Sequence, residues 1–184
     1  MHLRSLGLAA LAALSLTTSI GSRGALADTT DIRKADNGVS LDVGETNLDY
    51  AETAGGSTLD TEKGWLPTVG LGFGMLAFPN APIPNLYFRL DARASLGSTA
   101  YNGALCDPFG FCTPYQSTTN DNIYTGAAQL GRAFTAGTAV ILTPYAEIGY
   151  RYWSRNLKGI GGYGEAYHNW DAMAGLLAQY SPAS

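Results

Sequence analysis

Between residues 69 and 75 every second position is apolar (Val69, Leu71, Phe73, Met75), and every position between them is glycine. A period of two is that of a strand, so this stretch has one greasy face and one face of bare backbone. The pattern runs on over 65–78, with Trp65 and Ala77 on the apolar face; Pro67 shares it, which suits a strand end better than its middle. Residues 86–97 alternate most cleanly, setting Leu86, Phe88, Leu90, Ala92, Ala94 and Leu96 against Tyr87, Arg89, Asp91, Arg93, Ser95 and Gly97. In 139–153, Val140, Leu142, Ala146, Ile148, Tyr150 and Tyr152 oppose Thr143, Tyr145, Glu147, Gly149 and Arg151. In 164–181, Trp170, Ala172, Ala174, Leu176, Ala178 and Tyr180 oppose Glu165, Asn169, Asp171, Gly175 and Gln179. Two segments are less regular. Over 39–52, Val39, Leu41 and Val43 share a face while Leu48 and Tyr50 fall on the other, which predicts a bulge near Glu45 to Asn47. Over 123–134, Tyr124, Ala128, Leu130 and Phe134 share a face with Arg132.

Turn chemistry separates these six extended segments. The run PNAPIPN (79–85) carries three prolines and cannot continue a ladder, and TAGT (135–138) makes a tight return. Connections after the first, third and fifth segments run to about 12, 25 and 10 residues, and those after the second and fourth to about 7 and 4. The chain therefore predicts an all-β, antiparallel, up-and-down sheet with long connections at one end and short ones at the other.

A soluble sheet that buries one face normally offers water polar side chains on the other. Here the second face is glycine, small residues and charges, and each interior glycine costs roughly 0.5–1 kcal/mol relative to alanine. A transmembrane β-barrel reconciles the two faces: lipid covers the apolar side, and a narrow polar bore takes the other. Closure also pairs every backbone group, which a bilayer demands. On that reading Val69, Leu71, Phe73, Met75, Leu86, Phe88, Leu90, Leu142, Ile148 and Leu176 face lipid. Gly70, Gly72 and Gly74 make room for neighbours, and Arg89, Asp91, Arg93, Glu147, Arg151 and Asp171 form a salt-bridge network that plugs the bore. Two aromatic girdles are expected, with Trp65, Tyr124, Tyr152 and Trp170 at the outer ends of their strands and Phe78, Phe88, Phe134 and Tyr180 toward the inner ends. Short periplasmic turns and longer outer loops put the N-terminus in the periplasm.

Over 39–181 the pattern resembles the small bacterial outer-membrane barrels of the OmpA/OmpX type, in segments such as GWLPTVGLGFGM, NLYFRLDARASLG and LTPYAEIGYRYW. The resemblance implies eight strands, a Gram-negative outer membrane and assembly by the barrel-insertion machinery. Six strands are visible where eight are expected, and the terminal SPAS resembles a turn rather than a final strand. The expectation is an incomplete barrel over 39–184, with two strands lying beyond Ser184.

Composition sharpens this picture. The start MHLR, the apolar run 5–16 and the small-x-small site Ala25-Leu26-Ala27 mark residues 1–27 as a removed secretory signal; the run falls short of the ~20 residues of a membrane-spanning helix. Residues 28–38 are polar and aperiodic and read as a mobile tail. Without Arg4 and Arg23, 9 basic residues face 15 acidic ones, so nucleic acid is not an expected partner. The 11 tyrosines, three tryptophans and 23 glycines fit an exported all-β chain.

Candidate chemistry is sparse. Cys106 and Cys112, an even pair at short spacing in an exported chain, read as a disulfide, with Pro108 to Gly110 turning the chain between them. His168 shares its neighbourhood with Glu165 and Asp171, but they lie on the opposite strand face, so no nucleophile and base come together and an enzyme is not expected. VGLGFG and GIGGYG open no helix and cradle no phosphate. No metal or cofactor is called for. Three functions remain: a plugged barrel whose outer loops meet lipopolysaccharide or another extracellular ligand, a narrow porin-like channel for small solutes, or a soluble exported barrel that carries a ligand.

Overall fold

A computed structural model describes residues 29–54 and 56–181; the expected signal segment 1–27 lies outside them. Among the described residues the structure is all-β apart from one short helix. Helix α1 (Thr29–Asp36) is followed by β1 (Gly38–Ala54), β2 (Ser57–Leu76), β3 (Leu86–Cys106), β4 (Cys112–Arg132), β5 (Phe134–Ala136), β6 (Val140–Leu157) and β7 (Gly164–Tyr180). The strands form one antiparallel meander in the order β1-β2-β3-β4-β6-β7, with β5 on the same flank of β6 as β4. β5 is the continuation of β4: Gly131 pairs Tyr145 and Phe134 pairs Leu142, one unbroken register, and only Ala133, which donates to the Asn85 carbonyl, steps out of line.

Four sequence expectations change. First, β1 carries no bulge between Glu45 and Asn47; its register with β2 is continuous from Gly38↔Gly74 to Glu52↔Asp60 and shifts only after Glu52. Leu48 and Tyr50 point to the inner face because a buried cluster waits for them there, with Leu66, Ile123, Trp153 and Tyr167. Second, most of the long outer connections are strand. Ser98–Cys106 pairs residue by residue with Cys112–Asn120, so turns rather than long loops cap three extended β-ribbons. Third, residues 29–36 are helical and their Ile32 and Arg33 are buried, so this part of the 28–38 segment is packed structure. Fourth, Pro67 lies inside β2, where the ladder to β3 is interrupted between Lys63 and Thr68; the missing N–H of proline is accommodated there.

Among the described residues β1 and β7 do not pair, so the sheet is not closed into a barrel. It is strongly curled nonetheless. Tyr50 of β1 meets Trp153 of β6 edge-on at 5.3 Å, and Arg155 of β6 reaches Glu62 of β2. The inner face carries two separate apolar clusters. The Leu48 cluster lies toward the ribbons; Ile32, Leu76, Tyr87, Ala133 and Ile141, with Tyr145 and Leu177, close the opposite end around α1.

Candidate functional site: the filled inner face and the apolar outer face

The alternation of the strands decides what each face holds. Odd positions of β2 and even positions of β3, β4, β6 and β7 turn outward, and the registers stack them into cross-strand rows. One row runs Val39, Phe73, Leu90, Ala128, Ile148, Ala172; the next runs Leu41, Leu71, Ala92, Gly126, Tyr150, Trp170. Large side chains in these rows stand exposed, Leu71 at 59% and Trp170 at 72%. From Trp65 to Met75 the apolar band of β2 runs ten strand steps of ~3.4 Å, about 34 Å along the strand. Tyr124 and Tyr152 stack at 6.2 Å and Tyr150 lies 4.7 Å from Trp170, at the ribbon side of the band. Phe78, Phe134 and Tyr180 are exposed at its other side.

Inside, a β-carbon on Gly70 would meet the Arg93 side chain at 2.8 Å, and one on Gly72 would strike Ser40 and Asp91. The six sequence-selected charges are not one network. Arg89 grips Asp91 through Nε and Nη2 at 2.7 and 2.8 Å. Arg93 faces Asp42 of β1 at 4.0 Å, and Glu147 accepts from Gln129 at 2.5 Å. Arg151 lies over the Trp153 ring at 5.6 Å, and the Asp171 carboxylate fills the space above Gly149.

The most buried polar group lies beyond the aromatic rows, at the base of the ribbons, and its central pair, Glu62 and Arg155, was assigned from sequence to connections. Arg155, 1% exposed, donates to Glu62 Oε1 at 2.5 Å and to Glu165 Oε2 at 2.6 Å, with Tyr50 stacked 4.8 Å from its guanidinium. Thr119 donates to the same Glu62 oxygen at 2.6 Å, and Tyr167 donates to Glu165 at 2.8 Å. Beside them Asp121 accepts from Thr99 at 2.6 Å and from Trp153 Nε1 at 2.8 Å. Burial tends to lower the Arg155 pKa, but its bonds to Glu62 and Tyr167 and the charges of Glu62 and Glu165 outweigh that and raise it. Burial raises the carboxyls of Asp60 and Asp121. One cation thus sits among more carboxylates than it can neutralise.

At the far end α1 is held by side chains. Arg33 donates to the Ala77 carbonyl at 2.5 Å and to Asn85 Oδ1 at 2.8 Å. Asn37 pairs with the Leu76 backbone in both directions at 3.0 Å, and Gln179 of β7 donates to Asp36. Gly74 faces the Asp36 carbonyl so closely that any side chain there would displace the helix end.

Cys106 and Cys112 form a disulfide at directly paired positions of the β3–β4 ribbon. His168 turns outward and shares a 2.7 Å hydrogen bond with Tyr150, whereas Glu165 and Asp171 turn inward. Among the described residues no group of three or more His, Cys, Asp or Glu could hold a metal ion. Compared with protein-family models, curated proteins and solved structures, the chain finds no match.

Proposed function

We propose that this chain is an outer-membrane β-barrel protein with a side-chain-filled bore, working as a structural and surface-interaction protein through its β-ribbons. The observation that carries the reading is the exposed outer face. Large apolar side chains are presented row upon row across every long strand, while the charged residues of β3, β6 and β7 turn inward; Glu45 of β1 and Arg132 of β4 are charges that face out with the apolar rows. Contiguous apolar surface of this extent has no partner in water, and hydrocarbon supplies one. The free edges of β1 and β7 are joined by further β-pairing in the membrane, because each backbone group left unpaired in hydrocarbon costs several kcal/mol. The ribbons extend the outer end beyond the apolar band and are where lipopolysaccharide or an extracellular ligand would be met.

The test is extraction and gel mobility. The chain should require detergent and should migrate differently before and after boiling, as a compact barrel does. A protein that stays monomeric and compact in plain buffer, with no such shift, removes the reading and leaves the soluble ligand carrier in its place.

A further inference from the structure

The outer face is not evenly convex. Ala92, Gly126 and Ala128 are small, and they floor an apolar trough of about 570 Å³ between Leu71 and Phe73 on one side and Ile148 and Trp170 on the other. Tyr150 belongs to the trough wall and to a polar pair at its ribbon end, through its 2.7 Å bond to His168 Nδ1. With the phenol as donor, the imidazole proton sits on Nε2, which leaves an exposed His168 with a free donor. Asn122, Tyr152 and Ser154 share this side of the sheet at the same level, and the nearest carboxylates on these strands, Asp121, Glu165 and Asp171, all turn inward. An apolar channel one strand pair wide, headed by hydrogen-bonding groups and with no outward carboxylate on β3, β4, β6 or β7, matches a single molecule with a hydrocarbon tail and an anionic oxygen-rich head.

We infer that this trough seats one phosphate-bearing membrane lipid, with an acyl chain along Ala92, Gly126 and Ala128 and its phosphate at His168; the inference rests on the membrane reading above. A protein partner fits less well, since the trough offers no polar group to a peptide backbone. Gly126 makes the test clean: a β-carbon there meets nothing closer than the Asp91 carbonyl at 3.9 Å, so Gly126→Leu fills the trough from outside without disturbing the fold.

The full chain in non-ionic micelles doped with phosphatidylglycerol is released for native mass spectrometry. The expected result is one retained lipid per chain. Gly126→Leu should abolish the adduct, and His168→Ala should reduce it by roughly fivefold, the factor that about one hydrogen bond is worth. Diacylglycerol, which lacks the phosphate, should be retained no better than by His168→Ala. Random adducts unaffected by Gly126→Leu, a dimer in place of the lipid adduct, or equal retention of diacylglycerol would each overturn the proposal. Boiled and unboiled gel mobility of the same samples separates the two readings: a heat-modifiable protein without the adduct loses only the lipid seat, and a detergent-independent monomer loses the membrane reading itself.

Discussion

Arg155→Ala is the sharpest test of what holds the ribbon end together. Arg155 is 1% exposed and Glu62 is wholly buried, so Arg155 is the one cation paired with Glu62 and makes up most of the solvation that carboxylate has lost. Removing the guanidinium leaves Glu62 with only the Thr119 hydroxyl at Oε1, and its Oε2 has no hydrogen-bond partner even in the intact protein. Breaking one side of a buried pair costs about 3–5 kcal/mol, mostly by stranding the survivor. The lost ring contacts at Tyr50 push toward the upper end of that range. Lys63 with Asp49 is the internal control. That pair is more than half exposed on both sides, and its loss should cost no more than about 1 kcal/mol. Urea unfolding in micelles, followed by fluorescence, measures both. The double variant Arg155→Met with Glu62→Gln removes both charges and should recover most of the loss, as buried pairs replaced together commonly do. An Arg155→Ala protein within about 1 kcal/mol of wild type, or a double variant no better than the single one, would refute the argument that uncompensated charge sets the penalty.

The disulfide closes a six-residue separation at the tip of a paired ribbon, so Cys106→Ser with Cys112→Ser should cost at most roughly 2 kcal/mol and leave the sheet intact; increased hydrogen exchange confined to residues 98–120 is the expected signature, and global loosening counts against it. The raised carboxyls of Asp60 and Asp121 give a pH dependence of definite sign. Above the ordinary aspartate value and below their folded value, the folded chain keeps protons that the unfolded chain has released, so their contribution is present at low pH and lost as pH rises through the folded pKa. The urea midpoint of wild type, relative to that of Asp60→Asn with Asp121→Asn, should therefore be higher at about pH 4 than at pH 7, and equal pH profiles would dismiss the effect. Ile32→Asp places a charge in the α1 cluster without a partner and should destabilise by several kcal/mol; a midpoint unchanged from wild type would mean that α1 is not packed there.

The strand faces were legible because period-two alternation needs no knowledge of the partner: Leu86 to Leu96 reads the same whatever lies beside it. Legibility failed where the signal was polar or spread across strands. The stretch TPYQSTTNDN pairs throughout with β3, yet carries no apolar alternation because it lies beyond the apolar band; the Cys106 and Cys112 spacing was the available hint that the flanks run side by side. Glu62 and Arg155 stand 93 residues apart, and only the curl of the sheet makes them neighbours, so both passed for connection residues. Helix α1 has eight residues and a single large apolar one, Ile32, too little for a 3.6-residue period. The phase change of β1 misled for a related reason. Outside the apolar band its outer face turns polar while its inner face gains Leu48 and Tyr50, which imitates a slip of register.

These two overlooked elements occupy opposite ends of one interior, and that bears on whether solute could pass. α1 and its cluster fill the turn end, while Arg155, its carboxylates and the Trp153 cluster fill the ribbon end. Between them the side chains of Arg89 and Arg93 remain 38% and 39% exposed, so the middle of the inner face keeps contact with water while both ends are packed. A charge there need not be neutralised as completely as one at either end, which is why Arg93 tolerates a 4.0 Å separation from Asp42 while Arg155 is bonded to two carboxylates. In the closed barrel proposed above, the two ends are independent barriers in series. Loosening α1 exposes a wet vestibule that still stops at Arg155, and loosening Arg155 exposes one that still stops at α1. Steady conduction in planar bilayers should therefore need both ends disrupted, whereas steady openings from the unaltered chain would mean that the packing is held at neither end in the membrane.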